Sequence, residues 1–313
     1  MNKCCLILSP VFLSDIGGIE MHIKMLVEMG LVSNVIVFRD GKYWDASCGS
    51  RVSTRKLIAL VSNVDFIWSH CPRIPLRFRL LSLRKRTVYS SHGYIFHNSK
   101  SFFRRAYIYM KLWVVKLFFM RVISVSKSDY GAMPSHLSVL VENPCRFDIP
   151  DILNQRRCVD FCFIGRVTEH KRLDKFLWFI EVYFPDCKAV VATSSPDLSL
   201  PKSVELRECP SNDDVCELLK SCKFLVSFSD YEGFGLTVVE AASLGCVPIL
   251  SENEAFTAHR KAGLSAFGVE SVSEIKRLLK DDEALHAVAL HNLPFARKFS
   301  KRSFLQKIAK LVE

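Results

Sequence analysis

One stretch constrains the fold more than any other: Lys223-Phe-Leu-Val-Ser-Phe-Ser-Asp-Tyr-Glu-Gly-Phe-Gly-Leu-Thr-Val-Val-Glu-Ala-Ala-Ser-Leu-Gly-Cys-Val-Pro-Ile-Leu250. Phe224 to Phe228 is a short apolar run of the kind that fills a buried parallel strand, and Cys246 to Leu250 is a second. Between them Gly233 and Gly235 permit a sharp turn, and Leu236 to Leu244 carries helix formers as far as a terminating Gly245. The stretch predicts a βαβ unit with a helix N-terminus at its strand exit.

That geometry favours an anion. The N–H groups of Phe234 to Thr237 face outward from the positive end of the helix dipole, where a phosphate or sugar hydroxyl binds without a charged side chain. Two carboxylates flank the turn, Glu232 before it and Glu240 within the helix. A carboxylate accepts two hydrogen bonds at once, which suits the paired hydroxyls of a ribose or hexose. Taken singly, Glu240 reads as an exposed helix residue and the glycines as a tight turn; the combination carries the inference.

The segment Glu232-Gly-Phe-Gly-Leu-Thr-Val-Val-Glu240-Ala resembles the donor-binding signature of retaining glycosyltransferases of the GT-B fold, family 4, also called glycosyl transferases group 1. The resemblance implies an α/β protein of two Rossmann-like, doubly wound domains facing a central cleft. In it Glu232 contacts the donor sugar, Glu240 holds the nucleotide ribose, and Gly233, Phe234, Gly235, Leu236 and Thr237 complete the donor site.

Size and composition agree with two medium cores, at 313 residues with 49% hydrophobic and 24% charged. No run of about 18 uncharged apolar residues occurs, so a spanning helix is not expected. The N-terminal Met1-Asn-Lys-Cys-Cys-Leu-Ile-Leu is too short for a signal-peptide core and reads as a first buried strand. The 12 cysteines are scattered, several in apolar runs, and no Cys-x-x-Cys pair is present, so reduced core thiols in a cytoplasm are expected rather than disulfides or a zinc site.

Charge is distributed unevenly. Residues 1–150 hold 21 Lys and Arg against 9 Asp and Glu, a net of +12, whereas 151–313 hold 22 against 23, a net of −1. Residues 66–128 contain 13 basic and 13 aromatic residues and no acidic one. Such a segment seeks a polyanion: an anionic membrane surface, a lipid-linked diphosphate or nucleic acid. Within it Ser99 to Arg121 reads as one helix, its cations interleaved among aromatics, which either docks on anionic lipid or packs into its own domain with its basic side chains directed outward.

The first half repeats apolar run, loop and helix, with strands expected at Cys4–Leu8, Val35–Phe38, Val64–Trp68, Val88–Ser90, Val122–Val125 and Val139–Val141, which predicts a parallel sheet. Gly17-Gly18 is a glycine turn between strand and helix, a donor-phosphate contact if the resemblance holds. His92 follows a strand within Ser-Ser-His-Gly; similar enzymes carry a His-Gly at this place, close to the transferred sugar. The family often has Asn-Gly where this chain has Asn143-Pro144, and residues 147–157 read as the linker. The domains are therefore expected at 1–150, basic, acceptor-binding and membrane-facing, and 151–313, nucleotide-sugar-binding, with the last helix crossing back to the first domain.

The second half opens with a strand ending at Gly165 and a loop presenting Arg166 and Lys171. Two fixed cations at a strand's C-terminal end suit a diphosphate. Similar glycosyltransferases grip the donor diphosphate there, although their usual Lys-Gly is Lys171-Arg172 in this chain, and Ser194-Ser195-Pro196 replaces their glycine-rich turn. Residues 251–259 read as a loop, and 273–299 and 304–312 as helices.

The resemblance implies a retaining hexosyltransferase whose catalytic residues are His92, Arg166, Lys171 and Glu232, and whose donor site adds Gly17, Gly18 and Gly165. The donor is a nucleotide sugar and the acceptor a lipid-linked saccharide or lipopolysaccharide of bacterial surface polysaccharide synthesis, reached at the inner face of the cell membrane. Asp230-Tyr-Glu232 could pass for the acidic metal motif of the other major glycosyltransferase fold, but the cationic loop already supplies partners for phosphate, so no metal or other cofactor is expected. Two alternatives belong to other classes: a non-catalytic GT-B partner subunit, and a nucleic-acid-binding protein, for which no recognition motif is present.

Overall fold

The computed structural model of the chain describes residues 5–9, 18–70, 86–91, 110, 121–132, 136, 138–150, 156–195, 198–208 and 210–312. Gly17, His92, Pro196 and nearly all of the basic aromatic stretch 99–121 lie outside the described residues. The chain divides into two compact units, 1–142 and 143–313.

The first unit comprises β1 Cys5–Ser9, α1 Gly18–Glu28, β2 Asn34–Arg39, β3 Lys42–Asp45, α2 Thr54–Ser62, β4 Phe66–Ser69, β5 Arg86–Ser91, β6 Arg121–Ser124, α3 Lys127–Ala132 and β7 Ser138–Leu140. Its sheet runs β3-β2-β1-β4-β5-β6-β7. Every pair is parallel except β2 with β3. Strand β3, absent from the sequence expectation, forms because Asp40 (φ 52°) and Gly41 (φ 73°) both take left-handed backbone, the requirement of a tight hairpin whose twist matches its strands. Helix α2, also unexpected, starts where the Ser53 hydroxyl accepts the Lys56 N–H at 3.2 Å and buries Leu57 and Val61.

The second unit comprises β8 Val159–Ile164, a 3-10 turn Glu169–Lys171, α4 Leu173–Tyr183, β9 Ala189–Thr193, β10 Val204–Glu208, α5 Asn212–Ser221, β11 Cys222–Ser227, α6 Leu236–Ser243, β12 Val247–Leu250, α7 Glu254–Lys261, α8 Val272–Lys280, α9 Asp282–Arg297 and α10 Lys301–Val312. All five strands are parallel, in the order β10-β9-β8-β11-β12. Strand periodicity splits the core into two faces. Cys162 and Leu225 pack beneath α5 and α6, whereas Phe161, Phe163, Phe224 and Val226 pack with α4, α8 and α9. Burying each such Phe contributes about 1.5–3 kcal/mol, so the sheet is held from both sides.

The order reverses between β8 and β11, which makes their adjacent C-terminal ends the topological switch point where ligands of open α/β sheets bind. Both the cationic loop after β8 and the Glu-Gly-Phe-Gly loop after β11 leave the sheet here.

Three expectations need correction. The division falls at 142/143 rather than 150, because the stretch after it is built into the second unit: the Cys145 N–H donates to the Phe299 carbonyl at 2.7 Å, and Phe147 and Ile149 pack on the second core. Residues 143–150 are thus built into the second unit. Arg157 donates to the carbonyls of Leu219 (3.2 Å), Cys222 (2.5 Å) and Leu244 (2.9 Å), capping the C-terminal ends of α5 and α6. Residues 251–259 are not a loop throughout. Asn253 caps α7 by accepting the Phe256 N–H at 3.0 Å, an apolar face that buries Ala255 and Phe256. Among the described cysteines, Cys48 and Cys158 are exposed rather than core residues, while Cys5, Cys145, Cys162, Cys222 and Cys246 are buried, and none is in a disulfide.

Candidate functional site

The loop leaving β8 starts at Gly165, whose φ of 151° lies in the region that glycine tolerates best, and exposes Arg166 next to it. Arg166 makes no hydrogen bond or ion pair with any described residue. The Val167 N–H donates to the Ser195 hydroxyl at 3.3 Å, which ties this loop to the residues after β9. The hydroxyl of Thr168 is buried without a partner. A single 3-10 turn then carries Lys171 inward.

Arg172 occupies left-handed backbone (φ 53°, ψ 48°), the conformation a glycine adopts without cost. The departure from Lys-Gly therefore keeps the loop's path. Its guanidinium donates to Asp174 at 2.8 Å and to Asp230 at 3.3 Å, and the Asp174 bond foremost holds the Arg172 pKa above its ordinary value.

The loop leaving β11 meets this one directly. The Asp230 N–H donates to the His170 carbonyl at 2.9 Å, and the Lys171 ammonium lies 2.5 Å from Glu232 Oε1, which also accepts the Ser229 hydroxyl at 2.9 Å. Ser229 is held in turn, its carbonyl accepting Ser251 Oγ at 2.8 Å and Asn253 Nδ2 at 3.0 Å. The side chains of Lys171 and Glu232 remain 22% and 14% exposed, so a ligand can reach both. Asp230 is half-exposed and paired with Arg172 and Lys175.

Gly235 makes the left-handed turn into α6 (φ 77°) and supplies no side-chain cap, which leaves the N–H groups of Leu236 and Thr237 at the helix start. A β-carbon at Gly235 would lie 3.0 Å from Phe256 Cε1. Phe234 is buried, and its carbonyl accepts the His259 Nε2 proton at 2.6 Å, which fixes the turn from α7.

Glu240 is placed differently from an exposed helix residue. Its side chain is 0% exposed, and both carboxylate oxygens are taken by Arg146, Oε1 by Nε and Oε2 by Nη2 at 2.6 Å. Arg146 Nη1 donates to Asn212 Oδ1 at 2.9 Å, and the guanidinium lies 5.0 Å from the Phe147 ring centre. The charge and hydrogen bonds of Glu240 hold the Arg146 pKa up against the opposing effect of burial. Sequence reading missed Arg146; a lone cation set between Cys145 and Phe147 was the available signal.

Gly18 begins α1 in the first unit. Asn143 is buried with its Oδ1 unpartnered. Among the described residues one group could hold a metal: the thiols of Cys162, Cys222 and Cys246, mutually within 4.8 Å, all buried in the hydrocarbon core.

A family model described as "Glycosyl transferases group 1" matches residues 158–288. The match lies wholly within the second unit. The group 1 glycosyltransferase match runs from β8 through most of α9 and so takes in both loops of the switch point. GDP-mannose:cellobiosyl-diphosphopolyprenol alpha-mannosyltransferase of Xanthomonas oryzae pv. oryzae (strain PXO99A) is 27% identical over 231 residues, 66% of this chain. The protein of the same name from Komagataeibacter xylinus is 24% identical over 264 residues, 74% of this chain. The alignment spans 59% of the Xanthomonas relative's length and 65% of the Komagataeibacter one.

Among solved structures, Alr3699/HepE of Anabaena in complex with UDP-glucose superposes with a TM-score of 0.74 at 16% identity, over 99% of each chain. Sucrose-phosphate synthase from Thermosynechococcus elongatus gives 0.67 at 13% identity, over 99% of this chain and 98% of that one. The two units thus have the α/β architecture of the GT-B fold.

Proposed function

We propose that this chain is a retaining, metal-independent glycosyltransferase that moves a sugar from a nucleoside-diphosphate sugar to a lipid-linked saccharide in the synthesis of a bacterial surface polysaccharide. One observation carries the reading: at the β8/β11 switch point a cation (Lys171), a carboxylate (Glu232) and a helix N-terminus without a side-chain cap (Leu236, Thr237) leave the sheet together. The names of the relatives favour GDP-mannose as donor and a diphosphopolyprenol-linked acceptor.

In this mechanism Arg166 and Lys171 neutralise the charge that grows on the departing diphosphate. The bond from the anomeric carbon to the phosphate oxygen breaks, the acceptor oxygen bonds to the same face of that carbon, and its proton passes to the leaving phosphate oxygen. Glu232 accepts hydrogen bonds from the sugar hydroxyls, and Gly165 and Gly233 let backbone approach the phosphates. Metal independence is the reading these ion pairs support: Asp230 is engaged by Arg172 and Lys175, and Glu232 by Lys171.

Membrane contact through residues 66–128 rests on their charge, with peripheral attachment at the cytoplasmic face, not a span. No helix among the described residues is long and apolar enough to cross a membrane.

The test is transfer of radiolabelled mannose from GDP-mannose, and in parallel of glucose from UDP-glucose, to a polyprenyl-diphosphate disaccharide in EDTA. Labelled lipid with an α-linkage, lost in Arg166→Ala, supports the reading. Transfer that requires Mn²⁺ contradicts the metal-independent mechanism, and no transfer from either donor favours a partner-subunit role.

A further inference from the structure

The carboxylate that suits a ribose is already occupied. Each oxygen of Glu240 receives one N–H of the Arg146 fork, and the side chain is wholly covered while Arg146 itself is 15% exposed. Arg146 is therefore the lid on this carboxylate. Two parallel N–H donors from a guanidinium and two vicinal hydroxyls of a ribose offer a carboxylate the same pattern, a pair of donors about one carboxylate width apart. They compete for the same two oxygens.

We propose that Arg146 is the specificity-determining residue of the nucleotide site: it closes Glu240 until a ligand with both ribose hydroxyls replaces its two hydrogen bonds. The proposal rests on the donor-site reading given above. A ribonucleotide satisfies both oxygens after displacing the fork. A 2′-deoxyribonucleotide has one hydroxyl to offer, so displacement would leave one buried oxygen of Glu240 without a partner, and such an orphan is expensive. The displaced guanidinium has resting contacts at hand in Asn212 Oδ1 and the Phe147 ring, which it already touches. Phe147 adjoins Arg146 in the chain, and Asn212 is the first residue of α5, so the lid needs only side-chain rotation.

The pair thereby lowers affinity for every nucleotide that must open it and lowers it least for those with an intact ribose. Removing the fork removes the competitor, and the gain goes to ribonucleotides, which use the freed carboxylate fully.

The experiment is calorimetric binding of GDP, UDP and their 2′-deoxy counterparts to the wild-type chain, Arg146→Gln and Arg146→Lys, with thermal unfolding to establish that each variant folds. Arg146→Lys keeps the positive charge beside Glu240 while losing the fork, so it remains informative if Arg146→Gln does not fold. The expected result is that the wild type prefers the ribonucleotide, that Arg146→Gln binds it about tenfold more tightly, that Arg146→Lys lies between, and that the deoxynucleotide gains less than the ribonucleotide. An unchanged or weakened ribonucleotide affinity in the variants overturns the proposal, as does a wild type that binds ribo- and deoxynucleotides equally. If the wild type binds no nucleotide at all, the donor-site reading itself falls, a failure distinct from the other two.

Discussion

The ammonium of Lys171, at the end of the turn after β8, lies 2.5 Å from Glu232 Oε1 in the loop after β11. One ion pair thus joins the two loops that diverge from the switch point of the second sheet, and it is mostly shielded from water. Lys171→Ala leaves a largely buried carboxylate without its cation. The expected cost is about 1–3 kcal/mol of stability, read from urea unfolding, and about a hundredfold in sugar-transfer rate, because the leaving-group contact proposed for Lys171 goes with it. A variant with unchanged turnover would remove Lys171 from the mechanism.

Arg172 behaves differently from its neighbour. Its left-handed backbone is strained for any residue but glycine, whereas its ion pairs to Asp174 and Asp230 lie at an exposed surface and contribute little. In Arg172→Gly the relief of strain offsets the lost pairs and the greater freedom of the unfolded chain. The thermal midpoint should stay within about 3 °C of wild type. A much larger fall would mean that the Asp230 pair organises the loop.

Gly235→Ala meets both a positive φ and a close neighbour. The added methyl lies 3.0 Å from Phe256 Cε1 and 3.7 Å from His259 Nε2, and Phe256 is fully buried and cannot retreat. The expected loss is about 1–3 kcal/mol, with a parallel loss of nucleotide binding as the start of α6 shifts. Thermal unfolding and calorimetry on the same sample check the two together.

These positions show what sequence could and could not convey. The βαβ unit around Glu232 and Glu240 was legible because its cues are local: two apolar runs, a left-handed glycine and a glycine stop. The β2–β3 hairpin carried an equally local cue, Asp40-Gly41, whose left-handed pair sets the turn. Glu240 looked exposed because helix position alone says nothing of what covers it. Its partner Arg146 stands 94 residues earlier, and only the fold brings them together. The unit boundary falls earlier than expected for the same reason, since Cys145 is held by the Phe299 carbonyl and Arg157 by the carbonyls of Leu219, Cys222 and Leu244, all distant in sequence.

Thiol chemistry offers an independent check of the core. The Cys48 pKa is lowered chiefly by its hydrogen bond with Ser50, 3.0 Å away, at a fully exposed site. Burial pushes Cys162 and Cys222 well above the ordinary thiol value. At pH 8 Cys48 therefore carries more thiolate than an ordinary cysteine, and the two buried thiols carry almost none. Brief iodoacetamide labelling followed by peptide mapping should find Cys48 modified first among the described cysteines. Early labelling of Cys162 or Cys222 in the folded protein would show that the sheet is open to solvent.

The central claim is a nucleoside-diphosphate site that needs no metal, formed by the loops after β8 and β11. It is tested most directly by calorimetric titration of GDP and UDP into the chain in EDTA, with Arg166→Ala alongside, a substitution of an exposed side chain that leaves the core untouched. The account predicts that one of the two binds without divalent cation and that Arg166→Ala weakens it about tenfold or more. Binding that appears only with Mn²⁺ or Mg²⁺ would contradict it and assign the phosphate contact to a cation held by Asp230 and Glu232.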